Sequence, residues 1–142
     1  MRKATAALLA LALAPWAPAG LACGHCIEDK IAAVYDHAVV TQALARKHQV
    51  AFFGLDGPLN GGDGERRLLE RAAESAYGAD RGSARVSIES ASLSVAYDPE
   101  KVSYFGLQQF LHKKLARQGH TPLPLRMMDR LAELKTPARP AQ

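Results

Sequence analysis

The spacing of apolar residues along the chain changes rhythm several times, and each change marks an element. Ile27, Ile31, Val34 and Ala38 recur at intervals of four, three and four, with Glu28, Asp29, Lys30 and Asp36 on the other faces. That spacing predicts one long amphipathic helix from Cys23 to about Lys47. Glu28 and Asp29 would fall in its first turn, where the helix dipole favours negative charge, and Arg46 and His48 suit its C-terminus. Val50-Ala51-Phe52-Phe53-Gly54-Leu55, stopped by Asp56-Gly57-Pro58, reads as a buried strand. Asn60 to Gly64 is a glycine-rich loop. Helical spacing returns from Glu65 to Tyr77, with Leu68, Leu69, Ala72 and Ala76 inward and Gly78 as the stop.

Strict alternation then places Val86 and Ile88 on one face of a second strand, and Leu93, Val95 and Tyr97 on one face of a third. The short Ser90-Ala91-Ser92 link makes them a hairpin. Ser103 can cap a helix bearing Leu107, Phe110, Leu111 and Leu115, closed by Gly119. Leu123 and Leu125 alternate with prolines, which suits an edge strand. Arg126 to Lys135 is expected to form a short helix, and Thr136 to Gln142 a loose tail. From Val50 onward the order is strand, helix, strand, strand, helix, strand. The expected fold is therefore α+β, a ferredoxin-like βαββαβ sandwich preceded by an extra N-terminal helix. Its expected parts are a leader at 1–22, the helix at 23–48, the sandwich at 49–126 and a C-terminal appendage at 127–142.

The leader rests on its own pattern. Met1-Arg2-Lys3 is a positive start, and the apolar run Ala6 to Ala14 is far shorter than the roughly 20 residues that cross a bilayer. Pro15 and Pro18 break the run, and small residues permit cleavage after Ala19 or Ala22. This reads as a secretory signal peptide, with the mature protein periplasmic or secreted and without a transmembrane segment. Cys23 follows directly, so lipid anchoring through Cys23 is an alternative, although Gly20 stands where that signal places leucine. The leader also changes the charge. The chain has 142 residues, 18 basic and 14 acidic, and a net charge of +4. Losing Arg2 and Lys3 leaves 16 basic residues against 14 acidic, too even a balance for a nucleic-acid binder.

The candidate chemistry sits at the head of the first helix, in Cys23-Gly24-His25-Cys26. Two cysteines three apart at a helix start can turn their sulfurs toward one point, and the exposed N–H groups there lower thiolate pKa values. Such a pair is soft and suits Cu(I) first, with Zn(II) possible if other ligands join. Gly24 lends the loop freedom, and His25 can add a nitrogen. The same features suit thiol–disulfide exchange, with Cys23 attacking and Cys26 resolving, and an exported protein can also use such a pair as a plain structural disulfide.

The stretch Leu93-Ser94-Val95-Ala96-Tyr97-Asp98-Pro99-Glu100-Lys101-Val102-Ser103, followed by Leu107, Phe110 and Gly119-His120, resembles the heavy-metal-associated domain of copper chaperones and metal-transport ATPases. The resemblance spans about residues 50 to 125 and implies a ferredoxin-like, metal-handling module. It departs at one place. The family's Met-x-Cys-x-x-Cys loop follows the first strand, and Gly57 to Gly64 here contains no thiol. Cys-Gly-His-Cys is also similar to the active-site tetrapeptide of protein disulfide isomerases, and helix–strand–helix–strand–strand–helix matches a thioredoxin fold lacking its first strand. Ala22 stands where that family has an aromatic residue, and Gly82-Ser83-Ala84-Arg85 lacks its proline.

Other side chains are weaker candidates. His37 lies about 16 Å along a helix from Cys26, out of reach unless the helix breaks. His48 reads as a polar helix end, His112 as solvated beside Lys113 and Lys114, and His120 as a surface turn residue. Met127 and Met128 read as packing residues, Asp98-Pro99 as a turn, and Arg66, Arg67, Lys113 and Lys114 as solvated faces. Hydrolase and phosphate-loop motifs are absent from the sequence. The leading expectation is a metal-binding or metal-handling protein rather than an enzyme, with Cys23, Cys26 and His25 as ligands and a metal transporter or another exported protein as its partner. A thiol–disulfide oxidoreductase and a non-catalytic binding module are the alternatives.

Overall fold

The computed structural model describes residues 22–130, with side chains from Ile27 onward. The leader, its cleavage sites, and 131–142, which hold the rest of the expected C-terminal helix and the tail, lie outside the described residues. The elements are α1 (Ala22–Val34), α2 (His37–Ala45), β1 (Gln49–Asp56), α3 (Asp63–Glu74), β2 (Arg85–Ser87), β3 (Ser92–Tyr97), α4 (Tyr104–Ala116) and β4 (Thr121–Met128).

The four strands form one sheet in the order β2-β3-β1-β4, every pairing antiparallel. With α3 and α4 as crossovers this is the ferredoxin-like α+β sandwich. β1 hydrogen-bonds directly to β3, in a register from Gln49↔Tyr97 to Gly54↔Ser92. No room remains between them for a strand leading into the cysteine helix, so the sheet is not the thioredoxin alternative.

Alternation along the strands assigns each side chain to a layer. Ala51, Phe53 and Leu55 of β1, with Leu93, Val95 and Tyr97 of β3, face α3 and α4 and form the larger core with Leu69, Ala73, Leu107, Leu111 and Leu115. Tyr104 stacks on Phe53, ring centroids 6.1 Å apart. Val50, Phe52 and Ala96 point the other way and pack beneath Ile31, Val34, Val40, Ala43 and Leu44. The extra N-terminal segment therefore sheathes the sheet's second face. That double burial explains why β1 is an unbroken apolar run rather than an alternating one.

Several expectations need correction. The long helix is two helices, because Asp36 interrupts it: its carboxylate accepts from the N–H groups of Ala38 and Val39 at 3.0 and 3.2 Å and caps α2. After the break the apolar phase shifts to Val40, Ala43 and Leu44, so Ala38 is exposed. Helix α1 begins at Ala22 and has no acidic residue in its first turn, which moves Glu28 and Asp29 into the second. On α3 the buried stripe is Leu69, Ala72 and Ala73, and Leu68, rotated about 100° from Leu69, stays 47% exposed. Arg126, Met127 and Met128 do not open a helix. They continue β4 opposite Phe52, Ala51 and Val50, where Met128 closes the second core. A bulge between Phe52 and Phe53 leaves Leu125 as the extra residue of β4.

Candidate functional site

Helix α1 carries the Cys-x-x-Cys sequence within its first five residues. The side chains of Cys23, His25 and Cys26 lie outside the described residues. The remainder of α1 shows what fixes the helix. Ile31 and Val34 are buried on the sheet, the Glu28 carboxylate pairs with the Arg126 guanidinium on β4, and Lys30 Nζ donates to the carbonyls of Ser90 and Ala91 at 2.6 and 3.2 Å. Ser94 Oγ on β3 donates to the Val34 carbonyl at 2.8 Å. The first turn of α1 contains no acidic residue.

His37 is separated from the cysteine positions even though the helix does break. Eight residues of α1 from Cys26 to Val34 span about 12 Å, and His37 Nδ1 lies 3.3 Å from the Tyr35 hydroxyl. Asp36 beside it is held below the usual carboxylate range, first by the Val39 N–H and then by Arg85, whose Nε and NH2 both lie 2.9 Å away.

The loop from Gly57 to Gly62, between β1 and α3, has its own device. Glu65 Oε2 accepts from the N–H groups of Asn60 and Gly61, each at 2.9 Å. Its other oxygen lies 3.6 Å from His120 Nε2. His120 is not a surface turn residue: only 3% of it is exposed, and its Nδ1 has no hydrogen-bond partner. The loop lies on the ring because Gly57 carries no side chain; a Cβ there would stand 3.2 Å from Nδ1.

A second histidine cluster escaped the sequence reading. His48 Nδ1 lies 2.9 and 3.0 Å from the two Asp80 oxygens, and Nε2 lies 3.8 Å from Asp98 Oδ2. Arg46 also pairs with Asp80, at 3.1 Å. The Asp80 carboxylate meets the ring at Nδ1 and ties the end of α2 to the segment ahead of β2. Separations of 32 and 50 residues leave no spacing signal for it. His112 is exposed. Among the described residues no group of three or more His, Cys, Asp or Glu side chains is arranged to hold a metal ion.

Comparison with known proteins adds one likeness. No protein-family model matches the chain, and no curated protein matches it. Among solved structures it is similar to the crystal structure of oxidised MerP from Ralstonia metallidurans CH34. Identity is 20%, the alignment covers 56% of this chain and 99% of that one, and the TM-score is 0.43. The ferredoxin-like assignment stands on the strand order and pairings themselves. No helix among the described residues is long and apolar enough to cross a membrane.

Proposed function

We propose that this chain is an exported, non-enzymatic protein that binds and hands on a soft heavy-metal ion, Cu(I) first and Zn(II) second. The Cys23 and Cys26 thiolates are the principal ligands and His25 is the auxiliary one. The observation that carries the reading is that Cys23 and Cys26, three apart, fall on the first described residues of α1, whose first turn holds no carboxylate. Residues three apart on a helix are neighbours on its surface. A helix N-terminus favours two thiolates over two thiols, and paired thiolates match a soft, low-coordinate cation. The thiol-free Gly57–Gly64 loop leaves these two cysteines as the chain's whole supply of sulfur anions. The leader places the mature protein in the periplasm or outside the cell, where a metal transporter or another exported protein receives the ion. Thiol–disulfide exchange is the less favoured use of the same pair, because the sheet around it lacks the thioredoxin arrangement.

Anaerobic Cu(I) titration of the reduced mature protein against a coloured chelator tests the proposal. The wild type should withdraw one equivalent, and a Cys23→Ser/Cys26→Ser variant almost none. Equal uptake by the two proteins removes the cysteines from the site and ends the proposal. Zn(II) competition in the same titration should be weaker.

A further inference from the structure

Helices α3 and α4 form the layer on the sheet face opposite α1 and α2. They run antiparallel, side by side. Glu65 near the start of α3 lies 3.6 Å from His120, just past the end of α4, and a Cβ on Gly78, just past the end of α3, would stand 2.8 Å from Val102, ahead of α4. In sequence α3 is balanced, with Asp63, Glu65, Glu70 and Glu74 against Arg66, Arg67 and Arg71. The fold unbalances it, because each carboxylate is engaged. Glu74 Oε1 accepts from the Ala84 N–H at 3.0 Å and Glu70 Oε1 from the Val86 N–H at 3.3 Å, at the margin of β2. Glu65 holds the Asn60 and Gly61 amides, and Asp63 pairs with Arg66, feeling Arg67 only from beyond ion-pair distance.

Exposed Arg67 and Arg71, one turn apart, are left facing solvent, and α4 has no acidic residue to answer them. It adds Lys113, Lys114 and, just past its end, Arg117. None of these five cations has an ion-pair partner among the described residues. The helix dipole favours Lys113 and Lys114 in the last turn of α4, but it does not account for Arg67 in the first half of α3. The same layer exposes Leu68 beside Arg67 and, at its other end, Tyr77 at 73% and Phe105 at 66%.

We infer that the outer side of the α3/α4 layer docks on an anionic phospholipid membrane. The five cations meet the lipid phosphates, while Phe105, Tyr77 and Leu68 enter the interfacial zone. Two observations favour lipid over an acidic protein. Large apolar side chains stand exposed on the layer that carries the cations, which is the composition of interfacial segments. The cations are also long, flexible side chains spread over two helices rather than set around a pocket, so they can follow mobile headgroups. Docked in this way, the sheet lies between the bilayer and the α1/α2 layer, which faces the water. That last consequence alone touches the metal reading above.

Vesicle sedimentation of the metal-free chain without its leader tests the surface. Vesicles of equal parts phosphatidylglycerol and phosphatidylcholine should bind it at low salt and release most of it at about 1 M salt, where the screening length is about 3 Å. Pure phosphatidylcholine should bind almost none. Lys113→Gln/Lys114→Gln/Arg117→Gln should weaken the partition about 100-fold. Lys47→Gln/Arg81→Gln/Lys101→Gln removes the same charge elsewhere and should change it less than about threefold. Trp16, in the expected leader, is the chain's one tryptophan, so Phe105→Trp supplies a single reporter, whose emission should shift to the blue on anionic vesicles. No binding to anionic vesicles, equal weakening by the two triple variants, or unshifted emission from Phe105→Trp would overturn the proposal. Binding to polyglutamate without binding to vesicles would give the face to an acidic protein and end it as well. Far-UV circular dichroism checks that the variants fold, and the salt and lipid dependence of the unsubstituted chain decides the matter without them. The Cys23→Ser/Cys26→Ser variant should bind vesicles unchanged, so failure of metal uptake and failure of docking read out separately.

Discussion

The contact between the loop after β1 and the turn before β4 can be probed at one residue. Gly57 sits at φ +117°, and a Cβ built on it would lie 2.3 Å from the Gly119 carbonyl oxygen as well as against the His120 ring. Gly57→Ala therefore meets two penalties. Holding a side chain at that dihedral costs about 1–3 kcal/mol. Relieving a clash with backbone, which cannot rotate away, costs about 1–3 kcal/mol more. The expected loss of about 2–6 kcal/mol is a large share of the roughly 5–15 kcal/mol that holds a domain of this kind. Gly61→Ala is the control. Its φ is also positive, +81°, but nothing lies within 4 Å of the added methyl, so only the dihedral cost of about 1–2 kcal/mol applies. Urea unfolding of both variants, followed by far-UV circular dichroism, measures the difference from the midpoints at constant slope. If the two variants lose the same stability within about 0.5 kcal/mol, the loop does not press on the Gly119–His120 turn, and the burial of His120 has another cause.

Two further outcomes follow from ionisable groups. Asp36 is held below the usual carboxylate range, so its share of stability is present above that range and disappears as pH falls through the lowered value. Asp36→Asn should keep the α2 cap but lose the Arg85 pair, whereas Asp36→Ala should lose both and show the lower urea midpoint at neutral pH; equal midpoints would mean that the cap contributes nothing. Burial pushes the Tyr97 hydroxyl, which donates to Gln49 Oε1, up to about 12. The unfolded chain ionises this group near 10 while the folded one keeps its proton, so stability should fall between about pH 10 and pH 12. Tyr97→Phe should fall less steeply over that window, and an unchanged slope would place the alkaline loss elsewhere.

The strands and the two later helices were legible in the sequence because their signals are local. Alternation at Leu93, Val95 and Tyr97, the Ser103 cap and the glycine stop at 119 depend on neighbours within a turn or two, whereas α3 ends at Glu74 rather than running to the expected stop at Gly78. The break at Asp36 was legible in principle, as an N-cap residue ahead of a shifted apolar phase, but the earlier spacing ran smoothly through it to Ala38. Leu68 and Leu69 are equivalent to a pattern count, and only the seating of α3 on the sheet decides which of them is covered. The burial of His120 and the contact of His48 with Asp80 arise from segments distant in sequence. They depend on a glycine fit and on chain ends brought together by the sheet, and neither leaves a trace in residue spacing. For the cysteine pair, sequence and structure meet only at the backbone: Cys23 and Cys26 lie on the described part of α1, and their side chains lie outside the described residues.

The borders of the sheet have a consequence for how this protein behaves at high concentration. One border is β2, three residues long, and the other is β4, in which Pro122 and Pro124 carry no amide hydrogen. Since both broad surfaces are roofed by helices, an incoming extended segment finds neither a long row of open donors and acceptors nor a bare hydrophobic plane to lie on. Fibril-like growth by successive recruitment of copies is thereby discouraged at both margins.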